Sequence, residues 1–440
     1  MRGDSMVNKR EITGWAMYDW ANSAFSTTVV TAFLGPYLAA LIAARMGSIL
    51  PVGPFQIEPE AFYPFCVTFS VILQVIFLPL LGALADFTNL KKRLLLAFAT
   101  IGSTATIFLG LVSGGDWVVV GGLLFILANF SFGAAMVFYN AYLPDLAHPE
   151  EQDRISAMGF AYGYVGGGLL LALNLALLQL LTDTAVAVRL SLASAGVWWL
   201  LFTWLYPRRR LVVRDTAVAL PPDANFLTHS IRQFAHTLRD MFRHHPRTLQ
   251  FLIAYLIYND GIMTVNTVAA IFAAAEFGMG PEQLVGVILM IQFVAALGAI
   301  GFNQIAGRIG AKWTVIITLL GWTGLLVYAF GWLTTPAQVW AWAAVEALVL
   351  GSSQSLSRSM FAKMVPANQA SAYFSLYEIS ERGTSWIGPL VFALSVQMTG
   401  SARAALLPLT AFFVIGILIL LTTDVRRAII EAGNEAPPLV

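Results

Sequence analysis

Apolar stretches close to the ~20 residues needed to cross a bilayer recur almost end to end along this chain, and nothing else constrains its fold as strongly. With 58% hydrophobic and 11% charged residues, against roughly 25% charged in a soluble domain, most of the chain belongs in lipid. Spans are expected at 15–44, 62–84, 93–113, 117–140, 157–181, 186–206, 249–275, 283–306, 312–333, 337–357, 370–398 and 403–423. A backbone in hydrocarbon finds no water for its amides, so each span must be helical; a membrane barrel would alternate polar residues, and these segments do not. The chain reads as an all-α membrane protein.

A net charge of +1 gives no argument for nucleic acid as a partner, so the placement of the charges matters more than their sum. With the N-terminus placed in the cytoplasm, 21 of the 25 basic residues gather on that side, Arg358 and Lys363 among them. Arg45, Arg189 and Arg403 fall opposite, and Arg382 lies inside a span. The positive-inside rule then puts both termini in the cytoplasm and requires an even number of spans. Met1 to Arg10 lead into the first span without a small-residue cleavage site, so that helix is expected to stay uncleaved. The single cysteine, Cys66, excludes an internal disulfide, and the five histidines fall between spans, so no metal site and no cofactor are expected. Compact loops favour a bacterial inner membrane over a vacuolar one.

Pro207 to Thr248 is the one long interruption. It opens with Arg208-Arg209-Arg210, contains Pro221-Pro222, and divides the chain into an N-terminal six-helix half (1–206), a linker (207–248), a C-terminal six-helix half (249–425) and a tail (426–440). Within the linker Ile231, Phe234, Leu238, Met241 and Phe242 recur at helical spacing opposite Arg232, Arg239 and Arg243, as in a helix lying on an anionic leaflet; a plain tether is the alternative. The halves echo each other. Ala85-Asp86 with Lys91-Lys92-Arg93 after span two answers Gly307-Arg308 with Lys312 after span eight, and Tyr18-Asp19 in span one answers Tyr258-Asn259-Asp260 in span seven. Such duplication marks transporter folds that hold substrate between repeats near the bilayer midplane.

Two six-helix halves, a basic central loop and an Asp-then-basic loop after span two resemble the major facilitator superfamily. More narrowly, Gly14-Trp15-Ala16-Met17-Tyr18-Asp19-Trp20-Ala21-Asn22, Tyr139-Asn140-Ala141-Tyr142-Leu143-Pro144, Tyr258-Asn259-Asp260-Gly261, Gln354-Ser355-Leu356-Ser357-Arg358-Ser359 and Gly388-Pro389 are similar to its vacuole-effluxer-like branch. The resemblance implies a twelve-helix fold with pseudo-two-fold symmetry that works as a monomer and exports small solutes, amino acids in the best-known members. It also implies that helices one, four, seven and ten wall a central cleft, with Asp19, Asn22, Asn140, Asn259, Asp260 and Glu346 around it. Asp86, with Lys91, Lys92 and Arg93, would latch the cytoplasmic helix ends in one conformation. Gly307 stands where the second copy of that loop normally carries an acid.

A charge at the bilayer centre costs at least ~2.5–3.5 kcal/mol, so ionisable residues there face a cavity or a partner. Asp260, Glu346, Glu378, Glu381 and Arg382 all lie ~12–18 Å deep at ~1.5 Å per residue. Glu378 and Arg382, four apart, share a helix face. They either neutralise each other and close the halves, or Arg382 binds a substrate carboxylate while Glu378 or Glu381 exchanges a proton. Glu346 lines the cleft or pairs with Arg382, and Asp19 lies on the cleft or is a cap or interfacial anchor. Gly159, Gly163 and Gly167 form a small-residue stripe for helix packing, and Gly383, Gly388 and Pro389 offer a hinge.

A membrane enzyme acting on lipid would need a nucleophile with its base, and no span contains a histidine. A channel would show a selectivity filter, and a pump a Gly-x-x-x-x-Gly-Lys-Ser/Thr loop; neither is present. The chain reads as a secondary transporter of a small polar solute, driven by that solute's gradient or by protons, with drugs, peptides or lipid-like solutes as alternative cargo.

Overall fold

A computed structural model describes residues 8–46, 50–52, 55–214, 226–366, 368–382 and 387–440. Arg2, Pro221-Pro222 and the hinge residue Gly383 lie outside the described residues. Among the described residues, ten helices are long and apolar enough to cross a membrane. The other two of the twelve spans are span ten (Pro336–Lys363), whose last turns are rich in serine, and span eleven, described as a first helix, Ala370–Arg382, and a second, Ile387–Thr399, on either side of residues 383–386, which lie outside the described residues.

Span one is longer and less regular than its sequence suggests. It starts at Lys9 instead of residue 15, under an Asn8 cap, and runs as Lys9–Ala24, a π-helical stretch Phe25–Phe33, and Leu34–Met46. In the π segment the Leu34 amide reaches back to the Val29 carbonyl and the Thr31 hydroxyl to that of Ser26. A widened turn of this kind is frequent at functional sites. Spans two (Pro59–Phe87), five (Pro149–Leu180), seven (Pro246–Phe277), eight (Pro281–Ile309) and ten open on proline, which needs no amide partner in the first turn. Span six (Thr184–Leu205) is capped by Asp183, and span seven closes on Gly278 in the left-handed conformation at φ 62°. Spans three (Lys91–Leu109), four (Val118–Asn140), nine (Ala311–Gly331) and twelve (Thr410–Thr422) complete the bundle. Outside it lie a short antiparallel strand pair, Leu50–Val52 with Phe55–Ile57, and the linker helix Phe226–His244.

The glycine stripe of span five acts as packing. A Cβ on Gly163 would stand 2.7 Å from the Ser23 hydroxyl, and one on Gly166 2.6 Å from the Trp20 carbonyl, so spans one and five touch almost backbone to backbone. Spans eight and ten do the same, since a Cβ on Gly351 would collide with the Ala295 carbonyl. The serines of span ten satisfy themselves by bonding carbonyls three or four residues back, as Ser352, Ser353 and Ser357 do, which lets a polar helix pack inside the bundle.

Twelve spans place both chain ends on one face of the bilayer, here termed the terminal face. The first helix of span eleven, nearer that face, packs against spans two and four of the other half. Its second helix packs against span seven and the turn Ala404–Leu406 of its own half.

Candidate functional site

Arg358 is the centre of the interface between the halves. Counted from sequence as a charge beyond the membrane edge, it lies inside span ten and is 1% exposed. Its Nη1 donates to Asp19 Oδ2 at 3.2 Å and to Asn140 Oδ1 at 3.3 Å. Nε and Nη2 donate to the hydroxyl and carbonyl of Ser156 at 2.9 and 2.8 Å. The guanidinium also lies over the rings of Phe160, Trp15 and Tyr139, at 4.1, 4.9 and 5.4 Å. A buried cation is tolerable only when paired and hydrogen-bonded on all sides, and here every partner comes from the opposite half.

The partners are themselves fixed. The Tyr139 hydroxyl donates to Asp19 Oδ2 at 2.6 Å, while Trp15 stacks on Tyr139 at 4.5 Å and donates its indole N–H to the Tyr139 carbonyl at 2.8 Å. Asp19, buried within span one, neither caps a helix nor anchors an interface. Asn140 is the last residue of span four, and its amide donates to Glu378 Oε1 at 2.6 Å. Glu378 Oε2 accepts from Arg382 Nε at 3.2 Å. One polar chain thus runs Asp19–Arg358–Asn140–Glu378–Arg382 across both halves.

Toward the terminal face the halves meet twice more. Asp86 accepts from the amides of Ser371 and Ala372, both at 2.8 Å, and so caps the first helix of span eleven from span two. Lys363, 1% exposed, donates to both carboxylate oxygens of Asp153 at 2.7 Å. Of the basic residues that follow Asp86, Lys91 pairs with Asp145 at 2.9 Å in its own half, Lys92 donates to the Leu211 carbonyl at 2.6 Å, and Arg93 is exposed. Tyr164 donates to Gln354 Oε1 at 2.7 Å and Ser156 to the Ser355 carbonyl at 2.7 Å. Gln354 is the deepest of these contacts along span ten, roughly 14 Å from its end at Lys363. These hydrogen bonds join the halves from the terminal ends of spans two, four, ten and eleven inward to Tyr164, midway along span five, and hold the bundle together on the terminal side.

The remaining carboxylates differ in surroundings. Asp260 Oδ2 accepts from the Gly388 amide at 2.9 Å, which ties span seven to the second helix of span eleven, while its buried Oδ1 has no partner among the described residues. Glu346 is 1% exposed, and among the described residues neither of its oxygens is bonded, so of its two alternatives the pair with Arg382 does not form. Glu381 takes a 3.4 Å bond from the Tyr255 hydroxyl, and its carbonyl one of 3.4 Å from Asn259. The Arg382 guanidinium lies 4.7 Å from the ring centre of Phe132 in span four. Asn22 turns within its own half to Met136, 3.1 Å away. Asp19, Asp260, Glu346, Arg358 and Glu378 are all buried, whereas Glu381 and Arg382 keep partial exposure.

Comparison with known proteins places this geometry. The family model described as "Vacuole effluxer Atg22 like" matches residues 7–433. The chain belongs to the Atg22-like vacuole effluxer family. Among its relatives in that family is Autophagy-related protein 22 of Kluyveromyces lactis, 26% identical over 96% of this chain and 95% of its own length. The MFS-type transporter YxiO of Bacillus subtilis, itself named as uncharacterized, is 29% identical over 97% of this chain and 98% of its own. Solved structures with the same fold include the major facilitator transporter FucP in its outward conformation, at TM-score 0.69, 11% identity and coverage of 95% and 99%. The proton:xylose symporter XylE follows at TM-score 0.67, 12% identity and coverage of 93% and 94%. Family and fold are those of major facilitator transporters, not of enzymes, and the chain is a multi-pass membrane protein.

Within the Atg22-like chain the family stretches converge in space. Trp15 and Asp19 of the first, Tyr139 and Asn140 of the second, and Gln354 and Arg358 of the fourth build one cross-half contact. Sequence reasoning missed Arg358 and Lys363 by counting them as loop charges. The signal available was the serine run from Ser352 to Ser359, which suits a buried, closely packed helix better than a loop.

Proposed function

We propose that this Atg22-like transporter carries small zwitterionic solutes, most simply amino acids, by alternating access, with the terminal face in the cytoplasm. The observation that carries the reading is the adjacent pair Glu381 and Arg382. They are opposite in charge, roughly 18 Å along span eleven from Ala370, and placed between the halves by Tyr255 and Phe132. Unlike the other ionisable groups at this depth they are not fully buried. Arg382 offers a fork for a carboxylate and Glu381 an anion for an ammonium. The description of the matching family, a vacuole effluxer, agrees with small-solute export.

In this reading Asp19, Arg358, Asn140 and Glu378 form the inner gate below the substrate, and Asp86 and Lys363 hold its cytoplasmic rim. Asp260, Asn259 and Glu346 belong to the part of the C-terminal half that rearranges, where protonation of a carboxylate couples transport to a proton gradient. The test is uptake of pooled labelled amino acids into proteoliposomes, with and without an imposed proton gradient, beside Arg382→Ala and Asp260→Asn. Uptake present in the parent and lost in Arg382→Ala supports the assignment. No uptake of any amino acid in either condition overturns the substrate class.

A further inference from the structure

The linker helix Phe226–His244 carries three stripes, and only one of them faces the protein. Thr237 and Met241 are buried against the bundle, where the helix packs on span two, span seven and the first helix of span eleven. At 100° per residue, Ile231, Ala235, Leu238 and Phe242 fall within about 60° of one another, some 110° round from that buried stripe. Ile231 is 51% and Phe242 65% exposed. Arg232, Arg239 and Arg243 form a third stripe within about 40°, about 90° further on, and all three are exposed.

This order, protein then apolar then basic, is that of a helix wedged at a membrane surface, with its apolar stripe in the acyl boundary and its arginines among the headgroups. His245 alone separates the helix from span seven, so Phe242 enters at the membrane edge. The same face carries Arg208 over Trp204 at 4.1 Å and Arg210 over Tyr206 at 4.7 Å, further cations set beside interfacial aromatics.

We infer that the linker helix is a docking surface for the anionic headgroups of the cytoplasmic leaflet, an inference that rests on the proposed orientation but not on the substrate. Its position gives docking a consequence. The Thr237 hydroxyl donates to Gln369 Oε1 at 3.3 Å, directly before the helix start that Asp86 caps, so a docked helix ties the end of span eleven to the membrane.

The experiment uses full-length protein with Cys66→Ala, spin-labelled at Phe242→Cys or His236→Cys, in vesicles of phosphatidylcholine with or without phosphatidylglycerol. The label at 242 is expected to be accessible to oxygen and protected from a water-soluble nickel chelate when phosphatidylglycerol is present, and the label at 236 accessible to the chelate throughout. Each arginine contributes about fivefold at an anionic leaflet. The triple change Arg232→Gln, Arg239→Gln, Arg243→Gln is thus expected to lower the docked-to-free ratio on the order of 100-fold, and high salt to do the same. Equal chelate access at 242 in both lipids would overturn the proposal in favour of a plain tether. Equal protection in both lipids would overturn its electrostatic basis.

Discussion

Replacing Asp86 tests whether the contact between spans two and eleven sets the conformational balance. The carboxylate satisfies two amides, those of Ser371 and Ala372, which sit in the first turn of their helix and have no intrahelical acceptor. Loss of a helix cap costs about 0.5–2 kcal/mol, and loss of the negative charge at a partly buried helix N-terminus adds about 0.3–2 kcal/mol. Because cap and helix belong to different halves, the bond exists only while the terminal side is closed. Its loss in Asp86→Ala should therefore favour the open state by about 0.8–4 kcal/mol, roughly 4-fold to nearly 1,000-fold. Asp86→Asn, which keeps a capping oxygen without the charge, should fall between. Pulsed electron resonance between labels at Arg154→Cys and Asn368→Cys, one in each half near the terminal face, would read the shift as growth of the longer-distance population. An unchanged distance distribution in a folded Asp86→Ala protein would refute the reasoning.

Arg358→Met should abolish transport and lower the melting temperature in detergent, since it strands Asp19 in a buried site at a cost of about 3–5 kcal/mol. Arg358→Lys should not restore transport, because one ammonium cannot reach Asp19, Asn140 and Ser156 together. Gly166→Ala should lower the melting temperature by forcing spans one and five apart, while Gly324→Ala, with nothing within 4 Å of the new Cβ, should leave it unchanged or raise it slightly. A double-mutant cycle on Lys363→Ala and Asp153→Ala, read by thermal unfolding, should give coupling between the two sites; additive losses would show that the pair holds nothing.

What sequence made legible follows what is local. The spans and the Glu378–Arg382 pair depend on hydropathy and on residues four apart, and both are found in the fold. Resemblance singles out Asp86, but nothing in the sequence points to its bonds from Ser371 and Ala372, 285 and 286 residues away. Arg358 shows the limit most clearly. Hydropathy averages over a window, so an arginine near the end of a helix counts as outside the membrane, although one buried among Asp19, Asn140 and Ser156 is stable inside it. The π segment Phe25–Phe33 has no composition of its own to announce it, and the Asp260–Gly388 bond joins two spans that only the folded bundle brings together.

Recognition of the two charges of a zwitterion by Arg382 and Glu381 can be measured as binding of an amino acid, and of its amide, to purified protein. The parent should bind the acid at least tenfold better than the amide, Arg382→Ala should lose this preference, and Glu381→Gln should instead lose discrimination against the N-acetylated analogue. Retention of the carboxylate preference in Arg382→Ala would contradict it and move the substrate site elsewhere in the bundle.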